Sequence, residues 1–274
     1  MTKRLTLCAD DFAQSDAISA GILELLAAGR LSATSVMSQA PSWASRASEL
    51  KAFDGKADIG LHFNLSHPFG EHVRPLSHWL MKSQLRQLSR PMLRDAAVLQ
   101  IDLFCQHYGR LPDFIDGHQH VHALPVVRDA LFEAIAQRWQ EQPLPYLRSP
   151  DRLGHPGDNR LKALVLRSVS TGFDDGAREQ GFSTTPWFGG MYSLTPQADF
   201  AGLMQQWLAR TPDRGLIMCH PGHPAADKDD PIAATREKEY RFLGSQAFAD
   251  LCGQYDVEVA RFDKAAPAPA PMAA

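Results

Sequence analysis

Cysteine is scarce: Cys8, Cys105, Cys219 and Cys252 are the four present, with no close pair and no C-x-x-C. That excludes a disulfide-stapled scaffold and a dithiol redox motif, and it fits a reducing cytoplasm. Long apolar runs are also missing. The basic N-terminal residues are followed by a run of only five residues before Asp10, too short for a signal-peptide core. Nothing approaches the roughly 18 apolar residues that a membrane span requires. An excess of one charge is missing as well: the formal net charge is −3, with no long run of Lys or Arg. Nucleic acid is therefore not an expected partner. No internal repeat is visible.

What is present can bury a full core, since 44% of 274 residues are hydrophobic. That length suits one α/β barrel domain. The chain divides into one expected domain over 1–262 and an Ala/Pro-rich, disordered tail over 263–274. Residues 4–9, RLTLCA, read as a buried strand that stops at two aspartates. Ile18, Ile22, Leu25 and Leu26 share a helical face, with Ser15 as N-cap and Gly29 as terminator. A short strand is expected at 32–37 and a helix opening near Pro41. In 58–65, Ile59, Leu61, Phe63 and Leu65 alternate with Gly60, His62 and Asn64, which predicts a strand with one apolar and one polar side. A helix from Pro91 to Tyr108, stopped by Gly109, leads to a strand at 112–117. Further strands are expected near 145–150, 182–188, 215–219 and 256–262. Strands alternating with helices predict an α/β fold with a mainly parallel sheet, open or closed into a barrel.

Histidine breaks the ordinary pattern. Of eleven, His118, His120 and His122 fall within five residues, behind Asp116. Other polar residues gather at expected strand ends: Asp10 and Asp11, His62, Arg148, and His220 directly after GLIMC. In β/α barrels the C-terminal strand ends build the active site. Asp11, His62 and His118 together offer a divalent ion two imidazoles and a carboxylate, leaving positions for water and substrate. Neighbouring strand residues point to opposite sides, so the two aspartates suggest two jobs, one at the ion and one at the water. Each piece has a plainer reading. ADD suits a helix cap, His62 a core histidine, and CHPGH a Pro-Gly turn. His120 and His122 read equally as polar residues at a barrel mouth, and Arg148 as a surface ion pair. Their shared topological address is what outweighs these.

In order along the chain, ADDF, IGLHFNLS, DGHQHVHALP, LRSP and HPG resemble the YdjC-like carbohydrate deacetylases, from about residue 3 to residue 262. The resemblance implies a distorted, TIM-like β/α barrel akin to polysaccharide deacetylases. It implies removal of an acetyl group from an N-acetylated amino sugar, in a glycan or glycolipid, with one divalent ion. By the same resemblance Asp11, His62 and His118 hold the ion, Asp10 is the base and His220 the acid. Arg148 is expected to hold Asp10 ionised, and His122 to orient groups or bind substrate. Zn²⁺ suits this ligand set, with Mg²⁺ the alternative. One departure stands out: Ala13 follows ADDF where the family usually has Gly, and a positive φ there would strain alanine. Residues 150–212 match little, so substrate choice is expected there and in the 66–90 loop. The rival readings are a metal-dependent phosphoesterase on a similar barrel and a sugar-binding protein without turnover. A homodimer stays open.

Overall fold

The computed structural model describes residues 2–224 and 230–264. Its strands are β1 (Lys3–Phe12), β2 (Ala33–Val36), β3 (Asp58–Phe63), β4 (Phe114–Gly117), β5 (Tyr146–Leu147), β6 (Phe188–Gly189), β7 (Gly215–Cys219) and β8 (Val257–Val259). They form one parallel sheet in the order β5-β4-β3-β2-β1-β7-β6. Strand β8 pairs with Lys3–Leu5 of β1, while β2 pairs with the later stretch from Cys8. Single parallel bridges, Leu147 with Thr184 and Leu153 with Phe188, carry the sheet from β5 round towards β6. This is the expected distorted β/α barrel.

The helix signals act as their chemistry dictates. Helix Asp16–Ala27 starts where Ser15 Oγ accepts from the Ile18 amide at 3.3 Å, and it buries Ile18, Ile22, Leu25 and Leu26. Helix Arg90–Tyr108 is capped by Ser89 and stops at Gly109, whose φ of +91° a side chain would resist. The late strands are shorter than expected because their backbone finds other partners. The Phe262 amide, for example, donates to the Asp58 carboxylate at 2.8 Å. Strand β3 also differs from its pattern: every residue in it is buried, its polar side included, where His62 meets Asp11 and Asp116.

The first strand does not stop at the aspartates. It continues to Phe12 through a register shift between Ala9 and Phe12, with Asp11 at φ +69°. Such a bulge re-aims side chains. Here it turns both neighbouring aspartates into the same cavity, against the usual alternation. All four cysteines are free thiols. Among the described residues no helix is long and apolar enough to cross a membrane. The tail expected over 263–274 lies, from residue 265 onward, outside the described residues.

Ala13 does take a positive φ, +73°, with its side chain buried. Ala13→Gly should therefore leave stability within about 0.5 kcal/mol in urea unfolding, whereas Gly for Ala in a regular element costs roughly 0.5–1 kcal/mol. A larger loss would show that the buried methyl outweighs the relieved strain.

Candidate functional site

Asp11 is the hub of the first cluster. Its Oδ1 lies 3.1 Å from His118 Nδ1 and 3.3 Å from His62 Nε2. The three donor atoms all fall within 4.8 Å of one another. His62 is turned to present Nε2 because its Nδ1 faces Asp116 Oδ1 at 2.6 Å and Ser35 Oγ at 3.0 Å. A carboxylate behind a ligating imidazole fixes the tautomer and raises basicity, the usual support for a bound ion. Asp11 Oδ2 accepts from Arg236 Nη2 at 2.9 Å, which leaves Oδ1 for the histidines. The donor set fits a divalent ion.

Charge around this set is unusual for a buried place. Burial opposes ionisation of Asp11, but Arg236 and the two histidines hold its carboxyl well below the usual range. Burial also works against a charged His62, yet the carboxylates of Asp116 and Asp10 outweigh it and push the imidazole up to about 10. An ion binding at Nε2 must expel that proton, so affinity should rise with pH.

A second cluster sits beside the first. Arg148 Nη1 donates to Asp10 Oδ2 at 2.7 Å and Nη2 to Asp10 Oδ1 at 2.6 Å, a two-pronged grip. The same Nη2 lies 2.5 Å from Asp116 Oδ2. Burial would raise the Asp10 pKa, and Arg148 lowers it below the ordinary carboxylate range. Cys8, Asp10 and Asp116 also bring their donor atoms together, but the guanidinium of Arg148 occupies that place.

His220 closes the site from the end of β7. Its Nε2 is 3.9 Å from Asp10 Oδ2, and its backbone amide donates to Glu239 Oε2 at 2.5 Å. The Tyr192 hydroxyl donates to the other Glu239 oxygen. Burial pushes His220 down to about 4, against the pull of Asp10 and Asp11. It also pushes Glu239 up to about 7, against those two hydrogen bonds. His220 is thus neutral at rest rather than already protonated for an acid's role.

The histidine run divides by direction. Gln119 and His120 adopt left-handed φ of +52° and +60°, so the run is a tight turn rather than a strand. His118 and His120 line the cavity, with Asp10, Asp11, His62 and His220. His122 is fully buried away from it, its Nε2 2.9 Å from the Arg148 carbonyl. Arg148 likewise has no exposed surface and acts on the site through its carboxylates. Sequence reasoning did not assign Asp116, Arg236, Glu239 or His67, the last lining the cavity with its ring 5.7 Å from that of His118. Asp116 had a signal, being next to His118's strand end and on the interior side. Arg236 and Glu239 had only their i, i+3 spacing on helix Ala233–Leu243, whose sequence reads as a solvated face.

The model of YdjC-like proteins matches residues 4–254 of this chain. The chain belongs to the YdjC-like family. The YdjC-like chain is 31% identical over 236 residues to a chitooligosaccharide deacetylase of Serratia marcescens, covering 81% of this chain and 82% of that one. It is 29% identical over 251 residues to a carbohydrate deacetylase of Homo sapiens, covering 81% and 76%. Its fold is shared with a protein of Enterococcus faecalis V583 whose assignment to cellobiose-phosphate cleavage is provisional. That match has a TM-score of 0.71 and 17% identity, over 96% of this chain and 98% of the other. The resemblance carried by the five motifs holds over nearly the whole chain.

His62→Ala and His118→Ala should each lose stoichiometric metal in elemental analysis, while His122→Ala keeps it. Asp116→Asn should weaken metal binding by about 10–100-fold in calorimetry, because it removes the group that orients His62. Unchanged affinity in Asp116→Asn would show that His62 needs no such partner.

Proposed function

We infer that this YdjC-like protein is a hydrolase that removes the acetyl group from an N-acetylated amino sugar with the help of one divalent ion. The observation that carries the reading is a division of labour between neighbours. Asp11, His62 and His118 converge as three ion donors, while Asp10, one residue away, is held ionised by Arg148 outside that trio. The activities named for the curated relatives support it.

A divalent ion in such a site supplies Lewis acidity to a carbonyl and lowers the pKa of water. Zn²⁺ suits two imidazoles and a carboxylate, and Mg²⁺ is the alternative. Asp10 accepts the proton of the attacking water, a task that requires it to be ionised at rest. His220 donates to the departing amine only after a proton has reached Nε2, and because Asp10 Oδ2 lies 3.9 Å away, beyond direct hydrogen-bond reach, a transfer between them runs through a water. Arg236 keeps Asp11 oriented. His122 orients the Arg148 backbone. A reducing, cytoplasmic setting belongs to the same proposal, supported by the four free thiols.

The phosphoesterase reading is weaker. A two-metal site places its ions roughly 3.5–4 Å apart, and the neighbouring carboxylates here already hold Arg148. Acetate release from N-acetylglucosamine oligomers by metal-loaded protein tests the choice; phosphate release from sugar phosphates without acetate release would reverse it. Asp10→Asn should keep its metal and lose roughly 10²–10⁴-fold in kcat. Full activity in that variant at saturating metal would remove Asp10 from the reaction.

A further inference from the structure

Six large hydrophobic side chains stand exposed among the described residues, and five of them belong to two neighbouring helices. Met81 lies on helix Leu76–Gln84 and Leu85 caps it, while Leu161, Leu164 and Val165 lie on helix Arg160–Ser170. Gln84 Nε2 donates to the Val169 carbonyl at 3.5 Å and ties the two helices together. Leu164 is 65% exposed and lies outside both the core and the cavity lining. An apolar patch shared by two joined helices marks a place where something binds.

The charge around the patch is of one sign. The chain carries a net charge of −3, yet neither residues 72–94 nor residues 159–173 include an Asp or Glu. The first stretch holds Arg74, Lys82, Arg86, Arg90 and Arg94, and the second holds Arg160, Lys162 and Arg167. Arg90 and Arg94 pair with Glu133 and Asp95. The other six meet no carboxylate at salt-bridge distance among the described residues. Where they bond, the partners are neutral: Arg74 with the Val73 carbonyl, Lys82 with Gln87 Oε1, Lys162 with the Ser193 carbonyl and Arg167 with the Leu153 carbonyl. On the second helix Ala163, Leu166 and Ser170 are buried, and Leu161, Leu164 and Val165 take the opposite face. By helical periodicity Arg160 and Arg167 flank that face on one side and Lys162 on the other.

An apolar strip flanked by arginine and lysine is the form of a helix that lies in a membrane surface. The apolar side chains enter the acyl boundary, and the basic side chains reach anionic headgroups with their stems along the apolar layer. A second copy of the chain fits badly, because a two-fold contact sets a face against itself and would oppose the unpaired cations to their own copies. Nucleic acid also fits badly. It is gripped by aromatic faces among the cations, and none of the five exposed side chains is aromatic.

We propose that these two helices form a face that docks reversibly onto an anionic lipid bilayer, with the apolar side chains inserted and the basic ones over the headgroups. The face stands whatever reaction the cavity performs. In flotation, the full chain should rise with phosphatidylcholine vesicles holding about 30% phosphatidylglycerol and stay behind with phosphatidylcholine alone, because each basic residue at an anionic surface multiplies partitioning about fivefold. Added salt should release it. Arg86→Glu with Arg160→Glu, two exposed positions outside the cavity lining, should lower the partition coefficient by at least about 25-fold. Met81→Asn with Leu164→Asn should lower it by about tenfold with no change of charge.

Both double variants should keep the wild-type circular dichroism and Tm, since every changed side chain is exposed. Failure of the wild-type chain to rise with the phosphatidylglycerol vesicles at low salt overturns the proposal. Equal binding to the two kinds of vesicle overturns it too. Binding that survives both double variants places the contact elsewhere and removes this face from it. A homodimer in sedimentation velocity without lipid, dissociated by Leu164→Asp, would make a second copy the cover of the patch and likewise overturns the proposal.

Discussion

The guanidinium of Arg148 is the charge on which the rest of the site depends. It is wholly buried, as are Asp10 and Asp116, and it touches both. Three such charges are tolerable away from water only because they meet with close geometry; breaking a buried pair of this kind costs about 3–5 kcal/mol. Two consequences follow from one side chain. Asp10 stays ionised. Asp116, fixed on its other oxygen, holds His62 Nδ1 and so sets which nitrogen faces Asp11.

A second arc approaches from outside the sheet. Helix Ala233–Leu243 inserts Arg236 against Asp11 and Glu239 against the His220 amide, with Tyr192 bound to the same carboxylate. Each aspartate of the β1 bulge thus answers to a different arginine. Asp10 belongs to Arg148 and Asp11 to Arg236. The bulge brings the two side chains into one cavity, and the separate cations keep their tasks apart.

Ionisable groups and apolar side chains line different parts of one cavity. The ionisable groups hang from the strand ends, where the sheet is rigid and each has a fixed partner. The hydrocarbon wall comes from two helices outside the sheet, tied to each other through Gln84 and Val169. Hydrophobic contact needs area and tolerates imprecision, whereas proton transfer needs atoms held within hydrogen-bond reach.

The sequence by itself determined the order of strands and helices, through periodicity, and the placing of Asp11, His62 and His118 at strand ends. The family resemblance marked Ala13 as a departure, and the backbone there does take a positive φ. These features are legible since each depends on residues close in the chain. Tertiary structure decided the rest. Asp10 meets Arg148 across 138 positions and Asp11 meets Arg236 across 225, separations no local pattern encodes. Likewise, HQHVH as a string cannot tell which histidine faces the cavity. Left-handed turns at Gln119 and His120 send His122 behind Arg148 and leave His118 beside Asp11. Alternation along β3 was correctly read, yet its polar side is buried too, because parallel pairing with β4 sets Asp116 beside His62 and β1, two strands away, brings Asp11 to its other nitrogen.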